Sequence, residues 1–148
     1  MQHDPIIVLL ADDDENDRLF FIDAFDEIKI KTVVNTVNDG VDLIKYLLSP
    51  DVVLPHVLFL DLNMPRKGGM ECLAEIKSDD RFNNIAIAIY STSASDEDIE
   101  ETFVNGANVY IKKPSDFEEL KKILTKVITI NWQYHTSGLN REVFLLNL

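Results

Sequence analysis

The chain has 148 residues, 46% of them hydrophobic, which suits one globular domain with a single core. Its formal net charge is −12, which argues against binding to nucleic acid or an anionic membrane surface, because no excess of Lys or Arg neutralises phosphates. The single cysteine, Cys72, cannot form an internal disulfide, fits a reducing cytoplasm, and is interpreted as a small buried helix residue rather than a nucleophile.

Short apolar runs rich in β-branched residues alternate with stretches of helical periodicity along the chain. Such runs are typical of strands buried on both faces of a parallel sheet, and they are far shorter than the ~20 residues that cross a bilayer. Strands are predicted at 6–10, 32–37, 57–60, 85–90 and 109–111. Apolar residues three or four positions apart predict helices at 15–28, 41–48, around 70–76, at 96–104 and from 115 onward.

Local signals mark several helix ends. Pro50 stops the second helix, and Gly106 suits the position just after the fourth. Ser115, with Glu118 three residues later, forms a capping-box pattern at the start of the fifth. The regular alternation of strands and helices predicts a parallel α/β sheet with helices on both faces. Ligands of such folds bind at the carboxyl ends of the strands, so the residues after each strand are the candidate site.

Acidic and polar residues follow four of the predicted strands. They are Asp12 and Asp13 after the first, Asp61 after the third, Ser91 after the fourth and Lys113 after the fifth. If these strands are neighbours, the side chains converge at one edge of the sheet. Two carboxylates 4 Å apart repel by about 4 kcal/mol at an effective dielectric constant of 20. A hard divalent cation such as Mg²⁺ would offset this repulsion, and so would protonation of one carboxyl.

These residue types suit phosphoryl transfer. A carboxylate can act as a nucleophile and form an aspartyl phosphate, and the transfer requires positive charge near the phosphoryl oxygens. Mg²⁺ and Lys113 would supply that charge, and the Ser91 hydroxyl could donate a hydrogen bond. Each residue also has a simpler interpretation as a helix-capping acid, a turn former or a loop residue. We interpret Asp14 and Asp17 as capping, solvated charges of this kind.

Four segments resemble those of the response-regulator receiver family, the CheY-like domains, over residues 5–130. The segments are LLADDDEND, FLDLNMPRKGG, IAIYSTSA and VYIKKP. The resemblance implies a doubly wound, flavodoxin-like sheet of five parallel strands in the order 2-1-3-4-5. It also implies that Asp61 is the phospho-acceptor, and that Asp13 holds Mg²⁺ directly and Asp12 through water, together with Asp61 and the backbone carbonyl of Asn63.

The same resemblance implies that Ser91 and Lys113 contact the phosphoryl group and that the Lys113–Pro114 peptide bond is cis. Tyr110 matches the aromatic residue whose ring moves between outward and inward positions on activation. Its alternative interpretation is a half-buried strand aromatic. Where many members have Asp-Gly, this chain has Gly68 and Gly69. The missing carboxylate predicts a less firmly capped third helix, without loss of a catalytic assignment.

The predicted function is a response regulator of a two-component phosphorelay, which takes a phosphoryl group from a histidine kinase and switches protein contacts. It would catalyse only its own phosphorylation and dephosphorylation. The expected partners are a sensor histidine kinase, with phytochrome-type kinases among the candidates, or a phosphotransfer protein. The alternative within the family is a degenerate receiver that binds partners without phosphorylation, against which the complete residue set argues.

Two other classes are less compatible with the sequence. A haloacid-dehalogenase-type hydrolase needs a second Asp two residues after the nucleophile, where Asn63 stands. A flavodoxin-like nucleotide binder needs a phosphate-cradling loop after the first strand, where three Asp residues would repel phosphate.

The C-terminal extension at 131–148 is rich in apolar residues, unlike a solvated tail. We expect it to pack on its own domain or on a second subunit, and we favour a homodimer contact. With no output domain expected after the fifth helix, the output would be protein contact or phosphoryl relay.

Overall fold

The computed structural model describes residues 4–130 and 145–146, which form an α/β domain around a parallel sheet. The strands are β1 (Ile6–Ala11), β2 (Thr32–Val37), β3 (Val57–Leu60), β4 (Ala86–Ser91), β5 (Val109–Lys112) and β6 (Leu145–Leu146). They are ordered β2-β1-β3-β4-β5-β6, and every pair is parallel. The predicted doubly wound order 2-1-3-4-5 is therefore confirmed.

The short strand β6 extends the predicted five-stranded sheet at its β5 edge. Leu145 lies opposite Tyr110, and Leu146 lies opposite Ile111. The Leu145 side chain is partly buried against the core of its own chain. The rest of the 131–148 extension, on which the dimer prediction also depends, lies outside the described residues.

Helices cover both faces of the sheet, as predicted. They are α1 (Glu15–Asp26), α2 (Gly40–Leu48), α3 (Gly69–Lys77), α4 (Asp96–Val104) and α5 (Phe117–Thr129). Consecutive strand residues point to opposite faces, so Leu10 packs in one core with α1 and α5, while Leu9 packs in a second core with α2, α3 and α4. No helix within residues 4–130 is long and apolar enough to cross a membrane.

The helix ends follow the local sequence with one correction. Gly106, with φ of +93°, follows the end of α4, as predicted. Helix α3 begins after Gly68 without a side-chain cap, as the missing carboxylate implies. The capping box at Ser115 is wrong by one residue, because Asp116 caps α5 by accepting a hydrogen bond from the Glu119 amide. Both residue types cap well, and the Asp carboxylate also favours the positive end of the helix dipole.

Peptide geometry gives a second correction. All peptide bonds of the described residues are trans, including Lys113–Pro114, so the cis bond implied by the resemblance is absent from this structure.

Candidate functional site

The ends of β1 and β3 place two carboxylates side by side at the centre of the sheet. Ala11 and Leu60 are partners in the ladder, and the Asp61 amide donates to the Ala11 carbonyl over 3.0 Å. Asp12 and Asp61 therefore leave adjacent strands at the same level, and both are buried, while neighbouring Asp13 is exposed. Carboxylate oxygens of Asp12, Asp13 and Asp61 all lie within 4.8 Å of one another.

The end of β5 brings Lys113 to the same carboxylates. Its ammonium lies 2.8 Å from Oδ2 of Asp12 and 3.3 Å from Oδ2 of Asp61. The Lys113 amide donates to the Ser91 carbonyl over 2.8 Å, which fixes the lysine to the end of β4. Its side chain is only 8% exposed, and its ammonium lies 5.3 Å from the ring centre of Tyr90.

Burial and neighbouring charges shift the pKa values of Asp61 and Lys113. Desolvation raises the pKa of Asp61 to about 6, since burial and repulsion from Asp12 outweigh the attraction of Lys113. Burial disfavours the ammonium of Lys113, but the carboxylates of Asp12 and Asp17 outweigh it and raise the lysine pKa above its ordinary value. Near neutral pH, Lys113 therefore relieves part of the repulsion between the carboxylates. Burial and the remaining repulsion from Asp12 still oppose ionisation of Asp61.

The donor set fits a hard divalent cation. Oδ2 of Asp12 is buried and accepts no well-oriented hydrogen bond from the described residues, which leaves it only the ionic contact with Lys113. Oδ1 of Asp12 accepts from the Asp14 amide over 3.0 Å, and Oδ1 of Asp61 accepts from the Asn63 amide over 3.1 Å. A buried carboxylate oxygen without a hydrogen bond, beside two further carboxylates, is a ligand that Mg²⁺ or a similar cation would bind.

The loop after β4 connects Ser91 to Tyr110. Ser91 is the last residue of β4 rather than a loop residue, and its buried hydroxyl oxygen accepts from the Ser93 amide over 3.2 Å. Tyr110 is fully buried rather than half-buried, and its hydroxyl donates to the Ser93 carbonyl over 2.8 Å. Burial also raises the pKa of this phenol. The Tyr110 ring therefore lies inside the domain, with its hydroxyl at the loop after β4.

The sequence interpretation missed two residues of this site. Asp17, interpreted as a solvated charge, lies 2.9 Å from the Lys113 ammonium through its Oδ2 atom. Its place in the first turn of α1 was the available signal, because side chains of a helix lean toward its N-terminus. The sequence did not single out Ser93, whose hydroxyl also donates to Asp98 of α4 over 2.9 Å. Asp14 caps α1, as predicted.

Helix α3 approaches the end of β3 closely at Gly69. A Cβ atom on Gly69 would overlap the Asp61 carbonyl oxygen, and the Gly69 amide donates to the Leu62 carbonyl over 3.0 Å. Only a residue without a side chain allows α3 to start so close to the end of β3.

Comparison with known proteins places this geometry in context. The family model for the response regulator receiver domain matches residues 8–125. The probable methanogenesis regulatory protein FilR2 of Methanothrix harundinacea is 31% identical over 127 residues, covering 84% of this chain and 82% of FilR2. The response regulator Rcp1 of Synechocystis sp. is 26% identical over 124 residues, covering 81% and 84% of the two chains.

Solved structures show the same fold. The phosphorylated cyanobacterial phytochrome response regulator RcpA superposes with a TM-score of 0.77 at 30% identity, covering 84% of this chain and 91% of RcpA. The Mn²⁺-bound form of Rcp1 also gives a TM-score of 0.77, at 24% identity, covering 92% and 98% of the two chains.

Proposed function

The chain belongs to the response-regulator receiver family and acts as a response regulator in two-component signalling, and we propose that Asp61 is its phospho-acceptor. The family is a signalling switch rather than a classical enzyme. The observation that carries the proposal is the position of Asp61, buried at the end of the central strand β3, 3.3 Å from the Lys113 ammonium and beside Asp12 and Asp13.

In the proposed step, a carboxylate oxygen of Asp61 attacks the phosphorus of a phosphohistidine. A new O–P bond forms and the P–N bond breaks, so that the imidazole leaves with the electron pair of that bond. Hydrolysis of the resulting acyl phosphate by water would release inorganic phosphate and restore the carboxylate. The chain thus promotes only its own phosphorylation and dephosphorylation.

Lys113 and Ser91 would bind the transferred group. The ammonium already contacts Oδ2 of Asp61, and its pKa, raised above the ordinary value, keeps it charged to stabilise phosphoryl oxygens. The Ser91 hydroxyl now accepts from the Ser93 amide and is a hydrogen-bond partner of Tyr110, and it would turn to donate its proton to a phosphoryl oxygen.

The metal assigned to this site is Mg²⁺. Asp12, Asp13, Asp61 and the backbone carbonyl of Asn63 would hold it. Oδ2 of Asp12 supports this assignment, since it is buried and in ionic contact with Lys113 but accepts no well-oriented hydrogen bond from the described residues. When bound, the ion would neutralise charge on the carboxylates and on the transferring phosphoryl group. Asp13, exposed at the surface, would approach the ion from the solvent side.

The switch would run through the loop after β4. If Ser91 turns toward a phosphoryl group, the Ser93 amide loses its present acceptor, and Ser93 is bonded both to Tyr110 and to Asp98 of α4. A change at the acceptor therefore has a connected route to the surface of α4.

The partner proposed as phosphoryl donor is a sensor histidine kinase of the phytochrome type, or a phosphotransfer protein. RcpA, 30% identical, is a phytochrome response regulator that has been crystallised in its phosphorylated form. We assign residues 5–130 to the receiver domain. Within the extension 131–148, Leu145 and Leu146 pair with β5 of the same chain, and we assign a homodimer contact to the remainder. A cytoplasmic location suits the unpaired Cys72.

Acyl-phosphate chemistry gives a direct test against the degenerate-receiver alternative. The protein is incubated with radiolabelled acetyl phosphate and Mg²⁺, and the labelled chain is then treated with hydroxylamine, which cleaves acyl phosphates and spares phosphoserine. We expect labelling that hydroxylamine removes. Absence of labelling, or label that survives hydroxylamine, would contradict the proposal.

A further inference from the structure

The Lys113 ammonium has a third carboxylate partner outside the acidic cluster, by which we mean Asp12, Asp13 and Asp61. It lies 2.8 Å from Asp12, 3.3 Å from Asp61 and 2.9 Å from Asp17. Asp12 and Asp61 belong to the group of carboxylates that could hold a metal, whereas Asp17 does not. The Asp17 side chain is on α1, 38% exposed, at the margin of the site.

An ammonium and a divalent cation compete for the same oxygens in this arrangement. Among the described residues, Oδ2 of Asp12 has no hydrogen-bond partner and is in ionic contact with Lys113, and Oδ2 of Asp61 also lies close to the lysine ammonium. A cation bound by these carboxylates would weaken their hold on the ammonium. Asp17 is the one described partner of Lys113 that would keep its contact unchanged, because it is not part of the cluster.

The backbone fixes Asp17 where this contact is possible. Oδ1 of Asp14 caps α1 by accepting from the Asp17 amide over 3.0 Å. The side chain of a helix residue leans toward the N-terminus of its helix, which here faces the end of β1 and the acidic cluster. The contact to Lys113 joins α1 to the end of β5, 96 positions apart in the chain.

We propose that Asp17 is a positioning residue that holds the Lys113 ammonium at the margin of the site, so that a divalent cation takes Asp12 and Asp61 without competition from the lysine. The inference rests on the proposed Mg²⁺ site. Removing the Asp17 charge weakens the general attraction for a cation. It also leaves Lys113, within the part of the chain that the structure describes, with Asp12 and Asp61 as its ion-pair partners, so both effects would weaken Mg²⁺ binding.

The experiment is calorimetric titration of the full chain with Mg²⁺. Asp17→Asn keeps the size of the side chain and removes its charge. The matched control is Glu15→Gln, which removes a charge from the same turn of α1 at an exposed position outside the cluster. We expect Asp17→Asn to weaken Mg²⁺ affinity by on the order of tenfold, a size usual for coupling between charged groups in contact. Glu15→Gln should weaken it less than about twofold, as a screened surface charge would.

A double-mutant cycle separates positioning from simple loss of charge. In a Lys113→Met background, Asp17→Asn should weaken Mg²⁺ binding clearly less than it does when Lys113 is present, because only the loss of charge remains and no ammonium competes for Asp12 and Asp61. Thermal unfolding in EDTA checks that each variant is folded. Equal effects of Asp17→Asn with and without Lys113 would overturn the positioning role alone. Absence of Mg²⁺ binding by the unsubstituted chain would overturn the proposed metal site and this inference with it.

Discussion

The hydroxyl of Tyr110 donates a hydrogen bond of 2.8 Å to the backbone carbonyl of Ser93. This bond ties the buried ring of β5 to the loop that follows Ser91, and the hydroxyl of Ser93 in turn holds Asp98 of α4. The buried Tyr110 ring is therefore bonded to the loop after β4, which the proposed phosphoryl group would move. Its hydroxyl supports the structure and, under the proposed switch, would also carry the response to phosphorylation.

Tyr110→Phe removes this hydroxyl and leaves the Ser93 carbonyl without its donor. We expect a loss of about 1 kcal/mol in the free energy of unfolding by urea, the usual net value of such a bond. Phosphorylation should still occur, while the phosphate-dependent NMR shift of the Ser93 amide becomes smaller. Tyr46→Phe, at a partly buried tyrosine of α2, is the control. An unchanged Ser93 response in Tyr110→Phe would contradict the coupling.

Because the pKa of Asp61 is raised, ionisation of this carboxyl in the folded state should lower the free energy of unfolding, by an amount that depends on pH. Between the ordinary carboxyl pKa of 3.8 and about 6, the folded state binds more protons than the unfolded state, so this group lowers stability as the pH rises. In EDTA, Asp61→Asn should therefore be more stable than the unsubstituted chain at pH 7.5, by about 2 kcal/mol.

That stability difference between Asp61→Asn and the unsubstituted chain should shrink as the pH falls below about 6 and nearly vanish at about pH 3, where the carboxyl is largely protonated in both states. Urea unfolding of both proteins across this range measures it. A difference independent of pH, or a variant less stable at pH 7.5, would show that the acceptor carboxylate is not destabilised by its site.

Asp13 is an exposed carboxylate within 4.8 Å of two others, so it should contribute to Mg²⁺ binding. In the absence of the metal, its repulsion from these carboxylates should lower the stability of the folded state. Asp13→Asn is expected to raise the melting temperature in EDTA slightly and to lose most of the rise that Mg²⁺ gives the unsubstituted chain. Asp14→Asn removes the neighbouring charge but retains a residue that caps helices, so its response to Mg²⁺ should be nearly unchanged. Equal responses of the two variants would contradict a direct role for Asp13.

Much of the fold followed from local patterns. The strand Val57–Leu60 has the predicted bounds because an unbroken apolar run between polar neighbours admits few alternatives. Where two equally good capping residues are adjacent, as at Ser115 and Asp116, sequence alone does not decide between them. The order of the strands came from the family resemblance, since periodicity does not define which strands are neighbours.

The features that were missed depend on contacts distant in sequence. The pairing of Asp17 with Lys113 requires the direction of α1 relative to β5, which no local pattern contains. Strand β6 has only two residues, so it has no recognisable alternation and exists through its pairing with Tyr110 and Ile111. Burial of the Tyr110 ring likewise involves residues distant in sequence, among them Ser93, which accepts from its hydroxyl, and Leu145 opposite it.

Phosphorylation of Asp61 is the central claim, and intact-mass measurement tests it most directly. The full chain and Asp61→Asn are incubated with acetyl phosphate and Mg²⁺, with EDTA in place of the metal as a further control. We predict a gain of one phosphoryl group by the unsubstituted chain only, and only with Mg²⁺ present. Undiminished phosphorylation of Asp61→Asn, or no gain by the unsubstituted chain, would contradict the assignment of Asp61 as the acceptor.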